Sequence, residues 1–508
     1  MQEPTYTHQQ ILRVITGIML CILLAAMDQT VVVPAVPAIA AQLGGFGHLA
    51  WIVSAYLLTS TAVTPVYGKM SDMYGRRRLL LLALSIFIAA SVLCALAQSL
   101  PQLIAFRALQ GLGGGGLMAI VQAAIADVVA PRERGRYQGY MASMWAVASV
   151  GGPVVGGWFT DHLSWTFVFW INLPLGLAAM WLCDRALRLL PVHGTGGRID
   201  YWGAALLSGA VTALLLVLSW GGRTFAWGSA PVLGLLAVSG ALLVLLVRHE
   251  RDAADAILPP RLFAHAVFAR GVAVSFLLAI VLLGTTVLLP LYFQLDRGAG
   301  ASASGLLVMP FLAFNVVGAL SGGQASRYLG RTKGLIVGGL GATTLGFAAL
   351  AAIGAATPLA LVMLAMAVSG FGLGVCMPNT LVTVQNAAER RDVGAATGAL
   401  LFLRSMGGAF GSTLVATLLA GTFAARVAAA GFPGVRDLGA LRPGGALLTM
   451  GPAAEAAGRA ALSGGFHIAF LACAASSGLA LLVALGLHDL PLRTSAVAAP
   501  APAEAAAE

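Results

Sequence analysis

Three side chains stand in stretches where a charge is costly. Asp28 interrupts the apolar run CILLAAMDQTVVVPAVPA (residues 21–38), Arg107 opens RALQGLGGGG, and Arg404 lies in FLRSMGGAFG. Of the nineteen acids, Asp28 alone sits well within such a run; Asp72, Asp127, Asp161, Asp184, Asp200 and Asp296 fall at run ends or between runs. A lone carboxyl in oil has two chemical uses. It forms a standing ion pair with a base, or it takes up and releases a proton, because burial favours the neutral acid and a nearby cation favours the carboxylate. Both uses are open for Asp28, with Arg107 as the base.

Other chemistries lack their parts. An intramembrane enzyme needs paired acids, a metal set, or a nucleophile with its base at membrane depth, and the apolar runs offer one acid and two bases. No GxxxxGK[ST] phosphate loop occurs, so drive by ATP is not encoded here. The histidines, among them His48, His162, His265 and His467, fall in loops or near run ends without HExxH spacing. Cys21, Cys94, Cys183, Cys376 and Cys473 lie in apolar runs without CxxC spacing, as small packing residues do. We therefore expect no catalytic residue, no metal and no cofactor.

The elements that position these charges follow from composition. The chain has 508 residues, 59% of them hydrophobic and 9% charged, against about 25% charged in soluble proteins. Lipid is its solvent. Runs of about 20 apolar residues, enough to cross roughly 30 Å of hydrocarbon as a helix, recur at 11–33, 49–67, 79–97, 103–125, 137–159, 166–184, 201–220, 230–247, 270–292, 304–325, 335–353, 359–378, 396–420 and 466–487. That predicts fourteen spans. The later spans, and the lack of a small-residue cleavage site, argue against a cleaved leader at the first run.

With both ends inside, 21 of the 29 basic residues fall on the cytoplasmic side and six on the outer side. This excess fixes the orientation in a plasma (inner) membrane with cytoplasmic termini. The net charge of +10 thus reflects topology and contact with the lipid bilayer, not nucleic acid. Depth follows from a rise of 1.5 Å per residue. Asp28 lies about 24 Å above the inner face, and Arg107 about 6 Å below the outer one, so their depths coincide in a core of roughly 30 Å. Arg404, about 13 Å above the inner face, is near mid-depth. It snorkels or bonds a backbone carbonyl, or else it lines a cavity and repels or orients charge; cargo of any charge is permitted.

The chain repeats itself. GKMSDMYGRRR from Gly68 and GQASRYLGRTK from Gly323 match at Gly, Ser, Gly and Arg, 255 positions apart, and GGPVVGG from Gly151 and GGAFGS from Gly407 lie 256 apart. Two halves of six helices with an inserted pair follow, a 6+2+6 arrangement. The units are 1–190, 191–265 and 266–490, with an Ala/Pro-rich tail at 491–508 expected to be disordered. Residues 422–465 form the one long outer loop, as a free loop, a small cap or a contact for a periplasmic adaptor.

MDQTVVVPAVP, GKMSDMYGRRRLL, RALQGLGGG, GGPVVGGWF and WTFVFWINLPLG stand in the order and span positions of the major facilitator superfamily. The chain resembles its fourteen-span drug:proton antiporters of the EmrB/QacA type over about residues 11–420 and 466–487. Two departures are Val33 followed by Pro34, where Asn is usual, and Thr166 after Trp165, where Arg is common. The resemblance implies an all-α polytopic fold and proton-coupled efflux of a lipophilic or amphipathic small molecule by a monomer. It equally admits an exporter of one endogenous metabolite, siderophore or lipid. A membrane sensor or anchor, the rival class, calls for a sizeable cytoplasmic domain that the chain lacks. Asp28 and Arg107 are then the proton-coupling pair. By the same resemblance Gly68, Asp72, Gly75 and Arg76 form a cytoplasmic latch, with Asp72 accepting from a helix N-terminus or pairing with Arg76. Arg327 replaces Asp72 in the second half, so the first-half latch is expected to be the stronger. Gly151, Gly152, Pro153, Gly156 and Gly157 are an exporter hinge or a plain packing seam. Gln29, Tyr56, Gln110, Trp145, Tyr292, Gln294, Asn315, Asn379 and Arg404 are candidate cavity residues, with helix–helix glue as the alternative for about half of them.

Overall fold

Inside hydrocarbon every backbone N–H and C=O must find a partner within the protein, and a helix satisfies them locally. The computed structural model describes residues 8–44, 48–188, 199–222, 224–253, 255–354, 357–432, 434–435, 438 and 446–493, and among these no β-strand occurs. The long helices are α1 (His8–Leu43), α2 (Ala50–Tyr74), α3 (Arg76–Ala95), α4 (Leu100–Val128), α5 (Pro131–His162), α6 (Phe167–Leu187), α7 (Tyr201–Trp220) and α8 (Ala230–Asp252). They continue with α9 (Ala266–Asp296), α10 (Ala301–Leu329), α11 (Lys333–Ala351), α12 (Leu359–Ala387), α13 (Val393–Ala429) and α14 (Pro452–Leu485). Each expected run falls on one of them, apart from a residue or two at the ends.

Among the described residues, 12 of these helices are long and apolar enough to cross a membrane. The two that fall short are α2 and α5. The first carries Thr59, Ser60, Thr61 and Thr64 at mid-length, and the second opens with the polar PRERGRYQ.

Prolines do not end α1, which continues through Pro34 and Pro37 to Leu43. In α6 the helix breaks for one residue at Ile171, where Pro174 has no N–H to give the Trp170 carbonyl. The expected outer loop at 422–465 needs correction. Helix α13 runs to Ala429 and α14 begins at Pro452, so both ends of that stretch are helical, because Ala-rich segments keep good helix propensity past the membrane boundary. Of the expected tail, 494–508 lies outside the described residues, but its first residues are tied down. Leu492 N–H donates to the Gly330 carbonyl (2.8 Å), and the Arg493 carbonyl accepts from Arg132 N–H (3.3 Å). The expected boundary at 190/191 also lies outside the described residues.

Packing repeats between the first six and last six helices: α1 on α5, α2 on α4 and α3 on α4 are echoed by α9 on α13, α10 on α12 and α11 on α12. Two large apolar clusters fill the interiors, one around Ile18, Phe87 and Ile120, the other around Phe293, Phe347 and Phe470. The five cysteines are free and buried, four of them in these two clusters and Cys94 in a smaller one with Leu103 and Phe169. Helix α7 packs on both α2 and α13, with Trp220 edge-on to Trp51 at 6.0 Å and the Leu218 carbonyl accepting from Thr413 Oγ1 at 3.1 Å.

Candidate functional site

Five helices of the first half meet at one buried polar cluster. Helix α1 brings Asp28, α4 brings Arg107 and Gln110 three residues apart on one face, α6 brings Asn172, and α3 brings Ser91. Arg107 Nη1 donates to Asp28 Oδ2 at 2.7 Å and to Gln110 Oε1 at 2.7 Å. Gln110 Nε2 and Asn172 Nδ2 each donate to Asp28 Oδ1 at 2.8 Å. Asn172 is itself steadied by Ser91 Oγ (3.0 Å), which donates to the Phe169 carbonyl at 2.9 Å. Helix α2 completes the cage. Its Ile52 carbonyl accepts from Arg107 Nε (3.0 Å), and the Tyr56 ring lies 4.5 Å from the guanidinium carbon.

Asp28 and Arg107 are each 1% exposed. A buried ion pair survives only if its remaining lone pairs and protons are also satisfied, which Gln110, Asn172 and the Ile52 carbonyl accomplish. The equal depth expected for the pair is met by direct contact. Asn172 and Ser91 were not among the expected site residues. Their signal was present: Asn172 is an amide inside the apolar stretch WTFVFWINLPLG, and a polar side chain there needs a partner.

Glycines let these helices approach. A Cβ on Gly111 would meet Thr59 and Tyr56, and one on Gly114 would meet the Tyr56 hydroxyl. Along α5 the expected hinge divides into two faces. Gly152 and Gly156 lie against α1, where a Cβ would collide with Thr30 and with the Val31 carbonyl; Gly151 and Gly157 face open space. Thr30 Oγ1 also donates to the Ala148 carbonyl across this crossing at 2.8 Å, and α5 stays helical through Pro153. We expect Gly156→Val to cost about 1–3 kcal/mol by overpacking. Gly157→Ala should leave stability unchanged or raise it by up to about 1 kcal/mol. Thermal unfolding in detergent checks both, and equal effects at the two positions would contradict the two-faced seam.

At the end of the bundle that carries the α2–α3 turn, the two halves are joined twice. Asp72 pairs with Arg76 (2.6 Å) and accepts from the backbone N–H groups of Gly394 (3.0 Å) and Ala395 (2.8 Å) at the start of α13. Both alternatives expected for Asp72 therefore occur together. Arg76 also reaches Asp127 of α4 (2.8 Å) and bonds Ser71 Oγ. Gly68 lies so close to α13 that its Cβ would stand 2.5 Å from the Gly394 carbonyl, and Gly75 makes the turn at φ +88°, where a side chain is strained. The second join repeats the design between α10 and α5. Arg327, in the place of Asp72, pairs with Glu133 at 2.6 Å; Gly323 packs on Gly135; Gly330 turns at φ +66°. Side chains of Asp72 and Arg76 are 4% and 7% exposed, those of Arg327 and Glu133 38% and 36%. Exposed pairs contribute little, so water screens the second ion pair more than the first.

The expected cavity residues part company. Tyr56 and Gln110 belong to the Asp28 cage. Tyr292 is buried among Phe293, Phe466 and Phe470, its hydroxyl accepting from Arg297 at 2.8 Å. Asn379 is buried and bonds the Val375 (2.7 Å) and Gly322 (3.3 Å) carbonyls. None of these four lines an open surface: all are buried, and most of their polar atoms are bonded inside the protein, as burial demands. Gln29, Gln294, Asn315 and Arg404 are half-buried and Trp145 is exposed. Gln294 donates to Ser304 (2.9 Å) and Asn315 to the Gly370 carbonyl (3.3 Å).

The model of the Major Facilitator Superfamily matches residues 18–199 and 201–412. The chain belongs to this superfamily. It is accordingly a multi-pass membrane transporter and not an enzyme. An uncharacterized MFS-type transporter of Mycobacterium tuberculosis is 36% identical over 480 residues, covering 94% of this chain and 70% of its own. The multidrug transporter protein MdtP of Bacillus subtilis is 35% identical over 80% of this chain and 74% of its own; multidrug resistance protein 3 of the same organism is 33% identical over 81% and 80%. Among solved structures, the proton:xylose symporter XylE bound to 6-bromo-6-deoxy-D-glucose shares the fold, with a TM-score of 0.62 at 14% identity over 95% of this chain and 97% of that one.

Proposed function

We propose that this superfamily member exports lipophilic or amphipathic small molecules in exchange for protons, as a fourteen-span transporter of the EmrB/QacA type working by alternating access. The observation that carries the reading is the buried Asp28–Arg107 pair, which joins α1 to α4 within the first six helices. In the observed arrangement Arg107 Nη1 donates to Asp28 Oδ2 at 2.7 Å. Parting the two strips the charge of its partner while burial persists, and a buried carboxyl without a cation binds a proton. Movement of α1 against α4 is then a proton valve.

The 6+2+6 division supports the rest. Residues 1–190 and 266–490 form the moving halves, and 191–265 carries the inserted pair. With the arginine-rich end in the cytoplasm, the Asp72 and Arg327 joins close that side. Gln29, Trp145, Gln294 and Asn315 supply scattered hydrogen-bonding points for bulky cargo, and the drug-transporting relatives agree with efflux. Vesicles holding purified protein and an imposed pH gradient test this. Adding a transported drug should release protons at a rate that follows drug flux. Drug flux with no accompanying proton movement would overturn the exchange reading.

A further inference from the structure

We propose that Arg404 is the anchor for a carboxylate on the transported molecule, so that acidic amphiphiles are preferred cargo; this rests on the transport reading above and refines it. Two basic residues lie at membrane depth. Arg107 pairs with Asp28 at 2.7 Å, whereas Arg404, about a third of the way along α13, makes no ion pair among the described residues. Its Nε donates to Ser275 Oγ of α9 at 2.9 Å, and its Nη2 donates to the Met377 carbonyl of α12 at 3.3 Å. Both partners are neutral.

The side chain does not snorkel. Its head is turned inward to Ser275, which is fully buried, instead of toward either end of α13. Yet Arg404 keeps partial exposure, and its neighbour Ser405 is exposed. Two bonds leave other donors of the planar fork unused. An uncompensated cation at this depth is costly, and a carboxylate is the group whose two oxygens match the fork. Ser275 and the Met377 carbonyl, on two different helices, hold the fork in place before a ligand arrives.

The test uses the purified full chain with dansyl-undecanoate and its methyl ester, matched in all but charge. Wild-type protein should bind the acid about ten- to a hundredfold more tightly than the ester, the difference made by a charge-assisted bidentate contact. In Arg404→Gln that ratio should fall to about one, and in Arg404→Lys, which keeps the charge but lacks the fork, it should lie between. Arg404→Lys also carries the test should Arg404→Gln fail to fold. A wild-type protein that binds the ester as well as the acid, or variants that keep the full preference, would overturn the proposal. Export of both probes from vesicles is followed in parallel. No export with the acid preference intact defeats the transport reading alone, and export of both without any preference defeats this one alone.

Discussion

Asp28→Asn reduces gradient-driven export to the level of protein-free vesicles while folded protein still reaches the membrane. Asparagine keeps the shape of the carboxyl and one acceptor oxygen, so Arg107 retains the Gln110 amide, the Ile52 carbonyl and the Tyr56 ring. What disappears is the carboxyl that the proposed exchange needs in order to bind and release a proton. Arg107→Leu behaves differently. It strands the carboxylate in an apolar cage and should lower stability by about 3–5 kcal/mol, as removal of one partner from a buried pair does. Combining the two changes should cost less than their sum, because the second removes the group that the first left unpaired. Export assays and thermal unfolding on all three proteins separate a proton carrier from a mere strut. Undiminished, pH-dependent export by Asp28→Asn would end the valve hypothesis.

Gly394→Leu should force the two halves apart at the end where they are joined. A Cβ at this position would meet Arg76, Asp72 and the Gly68 carbonyl, with backbone on one side and a buried ion pair on the other. Neither gives way cheaply, and overpacking of this kind costs about 1–3 kcal/mol. Placed on one of two conformations only, that cost shifts their balance by roughly 5- to 150-fold. Cysteines introduced by Glu133→Cys and Arg327→Cys, where the native side chains pair at 2.6 Å, report the closed state. Their cross-linking yield should drop sharply in Gly394→Leu, and export should fall with it. An unchanged yield would show that the α2–α13 crossing does not hold this end shut.

The buried cluster shows which kinds of inference reach a membrane site without coordinates. Asp28 and Arg107 could be paired by counting residues from a membrane face, because a helix in a slab of known thickness converts position into depth. Depth is one coordinate of three. Rotation about each helix axis, which decides who faces whom, depends on packing against neighbours. That is why Gln110 and Tyr56, open in sequence to either a cavity or a helix–helix contact, are seen only in the structure to cage the ion pair together with Asn172 and Ser91. Tyr292 is placed by the same kind of contact. An aromatic with a hydroxyl suits a cavity wall and an interior equally well, and only the ring of Phe293, Phe466 and Phe470 around it decides.

Hydropathy and spacing along the chain are enough for the class of molecule, the internal repeat and the positions of the 12 helices that, among the described residues, are long and apolar enough to cross a membrane, and they single out one acid set in an apolar run. These follow from local quantities: hydropathy summed along about 20 residues, and the cost of one charge in oil. Tertiary structure decided that Asp72 reaches across to the first N–H groups of α13, that Gly152 and Gly156 face α1 while Gly151 and Gly157 do not, and that Arg404 has no acid partner among the described residues. Those contacts join residues as far apart as 72 and 395, and no local property of either segment specifies the other.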